Sequence, residues 1–213
     1  MREASFLTDT RAGYNAIAAA YDETYAGELD SSPWQRAILA AFAEVIGPGE
    51  PVIDIGCGPG RVTGFLSGHG LSIRGIDLSP AMVELARRHH PDIRFDVGSM
   101  TALEMADGSL GAVVAWYSLI HIPPAARSGV LAEFHRVLRP GGRVLLGFQA
   151  GTEVKHYEEG FGFAVSLDFH RIAPEEVAAT AEAAGFTVDM RFVRAPAGTE
   201  PTPQAALLLT RSS

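Results

Sequence analysis

A single cysteine in 213 residues excludes a disulfide scaffold and an all-cysteine metal site. Basic residues are scarce: 17 Lys and Arg stand against 25 Asp and Glu, a net charge of −8 with histidines neutral. A phosphate-binding face needs the opposite balance, so nucleic acid is not expected as a partner. No apolar run approaches the roughly 18 residues of a membrane helix, and the opening MREASFLTDT lacks the apolar stretch of a signal peptide. The expectations are no membrane association and a cytoplasmic location. What the chain does have is 47% hydrophobic against 20% charged residues, enough to bury the core of one domain spanning 1–213.

Strand-like and helix-like segments alternate, the signature of an α/β fold on a mainly parallel sheet. Apolar runs at 51–55, 71–76, 92–97, 111–116 and 143–148 read as strands. Val130, Leu131, Phe134, Val137 and Leu138 mark one helix face between the last two, and Pro140-Gly141-Gly142 ends that helix. Ser79-Pro80 opens an earlier helix with a cap residue and a proline at its first position. Residues 14–46 form a Tyr-rich helical cap ahead of the 50–150 core. The 151–213 segment begins polar and aromatic, adds a helix opened by Pro174, and ends in strands at 186–193 and 205–210 that pair as an antiparallel hairpin.

The densest signal is Asp54-Ile55-Gly56-Cys57-Gly58-Pro59-Gly60-Arg61, between the first strand and the first core helix. Glycines there let the chain turn sharply and let a ligand approach backbone N–H groups at a helix N-terminus. Arg61 stands where a dinucleotide fingerprint has its third glycine, and the lysine and Ser/Thr of a P-loop are missing. Asp77 ends the second strand one β-α-β unit after Asp54, where nucleoside-binding α/β folds hold ribose hydroxyls.

With DIGCGPGR, GIDLSPAMVELARR, FDVGSM, AVVAWYSLIHIPP and EFHRVLRPGGRVLLGF in this order, the chain resembles the class I S-adenosylmethionine-dependent methyltransferases, and among them the small bacterial methyltransferase-domain type. The resemblance implies a Rossmann-like sheet of seven strands, mostly parallel with an antiparallel C-terminal hairpin and helices on both faces. It implies S-adenosyl-L-methionine as cofactor, S-adenosyl-L-homocysteine as product, and methyl transfer to an O, N, S or C atom of a small-molecule substrate. A protein acceptor, or cofactor binding without transfer, are the alternatives. Monomer and homodimer both stay open.

Position by position, the resemblance puts Asp54, Gly56, Cys57, Gly58 and Gly60 along the methionine part of the cofactor. Asp77 holds both ribose hydroxyls, with Leu78 and Met82 against the adenine. Where the family often has an acid that accepts from the adenine amino group, this chain has Ser99 in Gly98-Ser99-Met100. Where it often has Asp before the fourth strand, this chain has Gly111. Trp116 is expected beside the cofactor. Tyr14 and Tyr21 either pack as a helical stripe or reach the cofactor's carboxylate.

Tyr117 and His121 leave the fourth strand together, with His121 a general base oriented by Tyr117, or else a loop-pinning residue. Both are also expected to touch substrate, as are His156, Tyr157, Phe163 and His170. No metal is expected, because the spacing of His121, His156 and His170 matches no metal motif. His135 is expected to be solvated.

Overall fold

Val52, Ile53 and Ile55 are buried whichever face of their strand they occupy, the pattern of a central parallel strand. In the computed structural model, which describes residues 4–198 and 200–212, Pro51–Ile55 (β1) is indeed flanked on both sides. Ser72–Asp77 (β2) pairs with one edge of β1 and Leu110–Trp116 (β4) with the other, all parallel. Phe95–Val97 (β3) extends the β2 side and Leu138–Gln149 (β5) the β4 side. Gln204–Arg211 (β9) then runs antiparallel to β5, and Phe186–Arg194 (β8) antiparallel to β9, giving the order β3-β2-β1-β4-β5-β9-β8.

Helices cover both faces. Pro124–Val137 (α6) and Pro174–Ala183 (α7) bring Val130, Leu131, Phe134, Val177 and Ala181 onto one face of the sheet, against Val113 and Val144. Pro33–Ile46 (α3) and Arg61–Gly68 (α4) bring Leu39, Phe42 and Leu66 onto the other, against Ala112 and Val114. The alternation of Ala112, Val113 and Val114 between these two clusters follows from the period of two along a strand. Pro80–His89 (α5) completes the core; like α3, α6 and α7 it opens on proline, whose missing N–H is an orphan at that position anyway.

Several boundaries differ from the expected ones. The N-terminal helix (α1, Ser5–Tyr25) begins well before residue 14 and is followed by the short Glu28–Ser31 (α2). Phe6, Thr10, Tyr14, Ile17 and Tyr21 recur every three or four residues, so the signal for the longer helix was present. The third strand starts only at Phe95. The Pro-Gly-Gly turn is a bulge rather than a helix end: α6 stops at Val137, Leu138 pairs with Leu110, and pairing resumes at Arg143 and Ala112. His135 is half-buried, its ring edge-on to Phe186 at 5.5 Å, rather than solvated.

The polar, aromatic segment, whose sequence carries no clear secondary-structure signal, is a second sheet, Val154–Gly160 (β6) antiparallel to Phe163–His170 (β7). Leu167 of β7 packs on α1 where Gly13 removes the obstacle: a Cβ there would lie 2.7 Å from Leu167 Cδ2. Gly111 answers to a different neighbour. Its missing side chain leaves room for Glu50, which pairs with Arg139 at the end of the sheet away from the glycine loop.

Candidate active site

The strand order reverses between β1 and β4, and a cleft of about 450 Å³ opens at the carboxyl ends of the strands there, the usual ligand position in open α/β sheets. Gly56 leaves β1 with φ +71°, and a Cβ on it would meet Ser118 Cβ at 2.3 Å. The Ser118 hydroxyl donates to the Ile55 carbonyl at 2.7 Å, so the loops after β1 and β4 are tied together. Gly58 has φ +53° and nothing within 4 Å of the Cβ position, leaving its backbone open to a ligand. Gly60 is not among the residues lining the cleft; its missing side chain makes room for His90 and Phe95, which a Cβ there would meet at 2.9 and 3.1 Å.

Asp77 joins β2 to this loop. One carboxylate oxygen accepts from Gly58 N–H and the other from Ser79 N–H, each at 2.8 Å. Each oxygen keeps further acceptor capacity. Burial pushes Asp77 upward while these backbone donors pull it down. Asp54 is buried more deeply, accepts from the Thr63 hydroxyl at 2.7 Å, and is pushed up to about 7 by burial. Cys57 is buried too. Burial and the two aspartates raise its thiol well above the usual range, which keeps it protonated and unreactive at neutral pH.

Leu78, Met82, Gly98, Ser99 and Met100 line the cleft at the β2–β3 end. The Ser99 hydroxyl is already engaged within its own turn, with Thr101 Oγ1 at 2.8 Å and Thr101 N–H at 3.2 Å.

Helix α1 forms the roof. Asn15 Oδ1 accepts from the Ser79 hydroxyl and Ala81 N–H at the start of α5, holding α1 over the β2 end. Tyr14 and Tyr21 both line the cleft. Arg61, which sequence reading used only to exclude a dinucleotide, lines it as well. Its guanidinium lies over the rings of Tyr21 and Tyr25 at 5.3 and 5.7 Å and donates from Nη2 to Glu28 at 3.0 Å. Nη1 is buried and has no hydrogen-bond partner among the described residues.

Beyond β4, Trp116 Nε1 donates to Gln35 at 2.9 Å and Tyr117 OH to Gln204 at 2.7 Å. Both aromatic residues border the cleft, and burial raises the Tyr117 phenol, so it stays protonated. His121 borders it as well, held on two sides: the Asp168 carbonyl accepts from Nδ1 at 3.0 Å, which leaves Nε2 to accept from Tyr14 OH at 2.8 Å. Burial lowers His121 to about 4, so it is neutral across the physiological range.

The remaining expected substrate contacts lie elsewhere. His156 is exposed and paired with Asp168 at 2.8 Å; Tyr157 and Phe163 are exposed on the hairpin. His170 is buried outside the cleft, its charged neighbours being Arg127, Asp168 and Glu176. In their place Phe161, at the hairpin tip, and Phe169 enter the cleft. Residues 168 and 170 alternate with Phe169 along β7, and this period of two keeps them off its face. The three histidines do not meet, and among the described residues no group of three His, Cys, Asp or Glu side chains could hold a metal ion.

Residues 52–142 match the family described as "Methyltransferase domain". A demethylmenaquinone methyltransferase of Beutenbergia cavernae is 35% identical over 130 residues, 61% of this chain and 52% of the relative. A ubiquinone biosynthesis O-methyltransferase of Pseudomonas aeruginosa is 30% identical over 159 residues, 66% of each chain. The chain spans about half the length of the first of these relatives. Among solved structures, the 1,6-didemethyltoxoflavin-N1-methyltransferase of Burkholderia thailandensis, with bound 1,6-didemethyltoxoflavin and S-adenosylhomocysteine, superposes with TM-score 0.77 at 21% identity, covering 98% of this chain and 90% of that one. At that identity the likeness is one of fold. Among the described residues no helix is long and apolar enough to cross a membrane. Sheet order, loop and matched segment agree, and the chain belongs to the family of class I S-adenosylmethionine-dependent methyltransferases.

Proposed function

We propose that the protein transfers the methyl group of S-adenosylmethionine to a small-molecule acceptor. The observation that carries this reading is Asp77. It stands at the tip of β2 with both oxygens fixed by backbone N–H groups and with acceptor capacity left for two adjacent hydroxyls. The relatives' names, which concern demethylmenaquinone and ubiquinone biosynthesis, support a small organic acceptor.

The cleft fits the cofactor. The orphaned Nη1 of Arg61 suits a carboxylate beside the glycine loop, and the open face of Gly58 admits the methionine chain. Asp54 stabilises a nearby ammonium or sulfonium once it gives up its proton. Leu78, Met82 and Met100 flank the adenine. When bound, the cofactor supplies an electrophilic methyl group: the acceptor's lone pair forms the new bond to carbon, the carbon–sulfur pair stays on sulfur, and the acceptor's proton passes to solvent.

The protein's share is positioning and exclusion of water. Trp116, Tyr117 and Phe169 give the acceptor end flat apolar walls, and Tyr14 with Phe161 closes the roof. His121 acts as a fastener: with a value near 4 and Nε2 already accepting from Tyr14, it is a poor base at neutral pH. Calorimetry with S-adenosylhomocysteine and with NAD tests the cofactor, and S-adenosylhomocysteine release with a panel of small acceptors tests the transfer. NAD binding in preference to S-adenosylhomocysteine would overturn the reading.

A further inference from the structure

We propose that Gln149 selects the acceptor, hydrogen-bonding an uncharged carbonyl, amide or hydroxyl group on a flat ring; this rests on the methyltransferase reading above. Asp77 ends β2 and Gln149 ends β5, with β1 and β4 between them. Three strand spacings, about 14 Å, therefore separate the ribose acid from this carboxamide. Gln149 belongs to the acceptor end.

Its backbone is fixed. Gln149 is opposite Gln204 in the β5–β9 ladder, and its carbonyl accepts from Ile172 N–H at 2.9 Å. Gln149 lines the cleft, yet among the described residues no group hydrogen-bonds its carboxamide. The neighbours differ in this respect. Gln204 accepts from Tyr117 OH and donates to the Thr202 carbonyl at 2.8 Å, and Gln35 accepts from Trp116 and donates to Glu28. Both of those amides are consumed in holding the walls. Gln149 alone of the three offers a donor and an acceptor to a ligand.

Charge narrows the ligand. At this end Glu200 borders the cleft, and Arg194 is committed to it through both guanidinium Nη atoms. Arg61, which lines the cleft, follows the glycine loop at the start of α4, and its Nη2 is committed to Glu28. An anionic substituent at Gln149 would lose its hydration with no cation to replace it, whereas a neutral polar group gains the amide's hydrogen bonds. Trp116, Tyr117 and Phe169 supply the walls for the ring that carries it.

The matched probes are 3,4-dihydroxybenzamide and 3,4-dihydroxybenzoate, alike in shape and different in charge. Each is titrated calorimetrically into the full-length protein saturated with S-adenosylhomocysteine. The wild type should bind the amide at least roughly tenfold more tightly than the acid. Gln149→Leu should weaken amide binding roughly three- to tenfold with S-adenosylhomocysteine affinity unchanged. Gln149→Arg should reverse the preference, a gain that a damaged fold cannot imitate. Equal or tighter binding of the acid by the wild type, no binding of either probe, or an unchanged preference in Gln149→Arg would overturn the assignment. Failure of S-adenosylhomocysteine itself to bind would instead remove the methyltransferase reading on which it stands.

Discussion

The hydroxyl of Tyr14 and Nε2 of His121 lie 2.8 Å apart, and this one hydrogen bond fastens the roof helix α1 to the turn after β4. The other ring nitrogen donates to the Asp168 carbonyl on β7, so His121 joins three segments that are distant in sequence. His121→Ala should therefore lower cofactor affinity and turnover together. The rate on an acceptor that is already nucleophilic should show no histidine inflection between about pH 5.5 and 8, because the ring titrates at about 4. A pH–rate profile with parallel calorimetry checks this. A loss of roughly 10²–10⁴ in turnover with cofactor affinity intact would restore the general-base role.

His121 and Asp54 should tilt stability in opposite directions with pH. Burial lowers His121 from 6.5 to about 4, so its contribution is complete above about 6.5 and lost as pH falls through about 4. Burial raises Asp54 from 3.8 to about 7, so its contribution is complete below about 3.8 and lost as pH rises through about 7. Urea unfolding of the cofactor-free protein should show Asp54→Asn losing part of the decline toward pH 8. An unchanged decline would mean that Asp54 titrates like an ordinary carboxylate.

Asp54 should also release a proton when cofactor binds near pH 7, since a cation beside it favours the ionised form. Calorimetry in two buffers of different ionisation enthalpy measures the proton count. Asp54→Asn should abolish the release.

Asp77→Ala should weaken S-adenosylhomocysteine binding well over tenfold, because the carboxylate makes charge-assisted bonds and also fixes the loop through Gly58 and Ser79. Ser99→Ala should cost only a few-fold, its hydroxyl being already engaged with Thr101. Equal losses from the two changes would refute the ribose assignment.

Arg61→Gln should weaken S-adenosylhomocysteine binding by roughly 10- to 100-fold if Nη1 takes the carboxylate. 5′-Methylthioadenosine, which lacks that carboxylate, should bind wild type and variant alike. A parallel loss for both ligands would show that Arg61 only braces Tyr21 and Glu28.

Local chemistry made one half of the molecule legible. Five parallel strands, their helices, the loop from Asp54 to Arg61 and the acid at Asp77 were readable because periodicity, glycine and proline punctuate the chain over a few residues. The β6–β7 hairpin was not: its strands are largely exposed, so KHYEEGFGF carries no hydrophobic alternation, and long-range contacts hold it in place, Leu167 against Gly13 of α1, the Asp168 carbonyl on His121 and Phe161 against Tyr21 and Tyr25. That packing, invisible at residue spacings of more than a hundred, decides that Phe161 and Phe169 enter the cleft while His156, Tyr157, Phe163 and His170 do not. Tertiary structure also decides which polar groups are spent. Ser99, Gln35 and Gln204 are bonded within the protein, while Nη1 of Arg61 and the amide of Gln149 have no partner among the described residues. A sequence states which donors and acceptors exist; only folding determines which of them have already met.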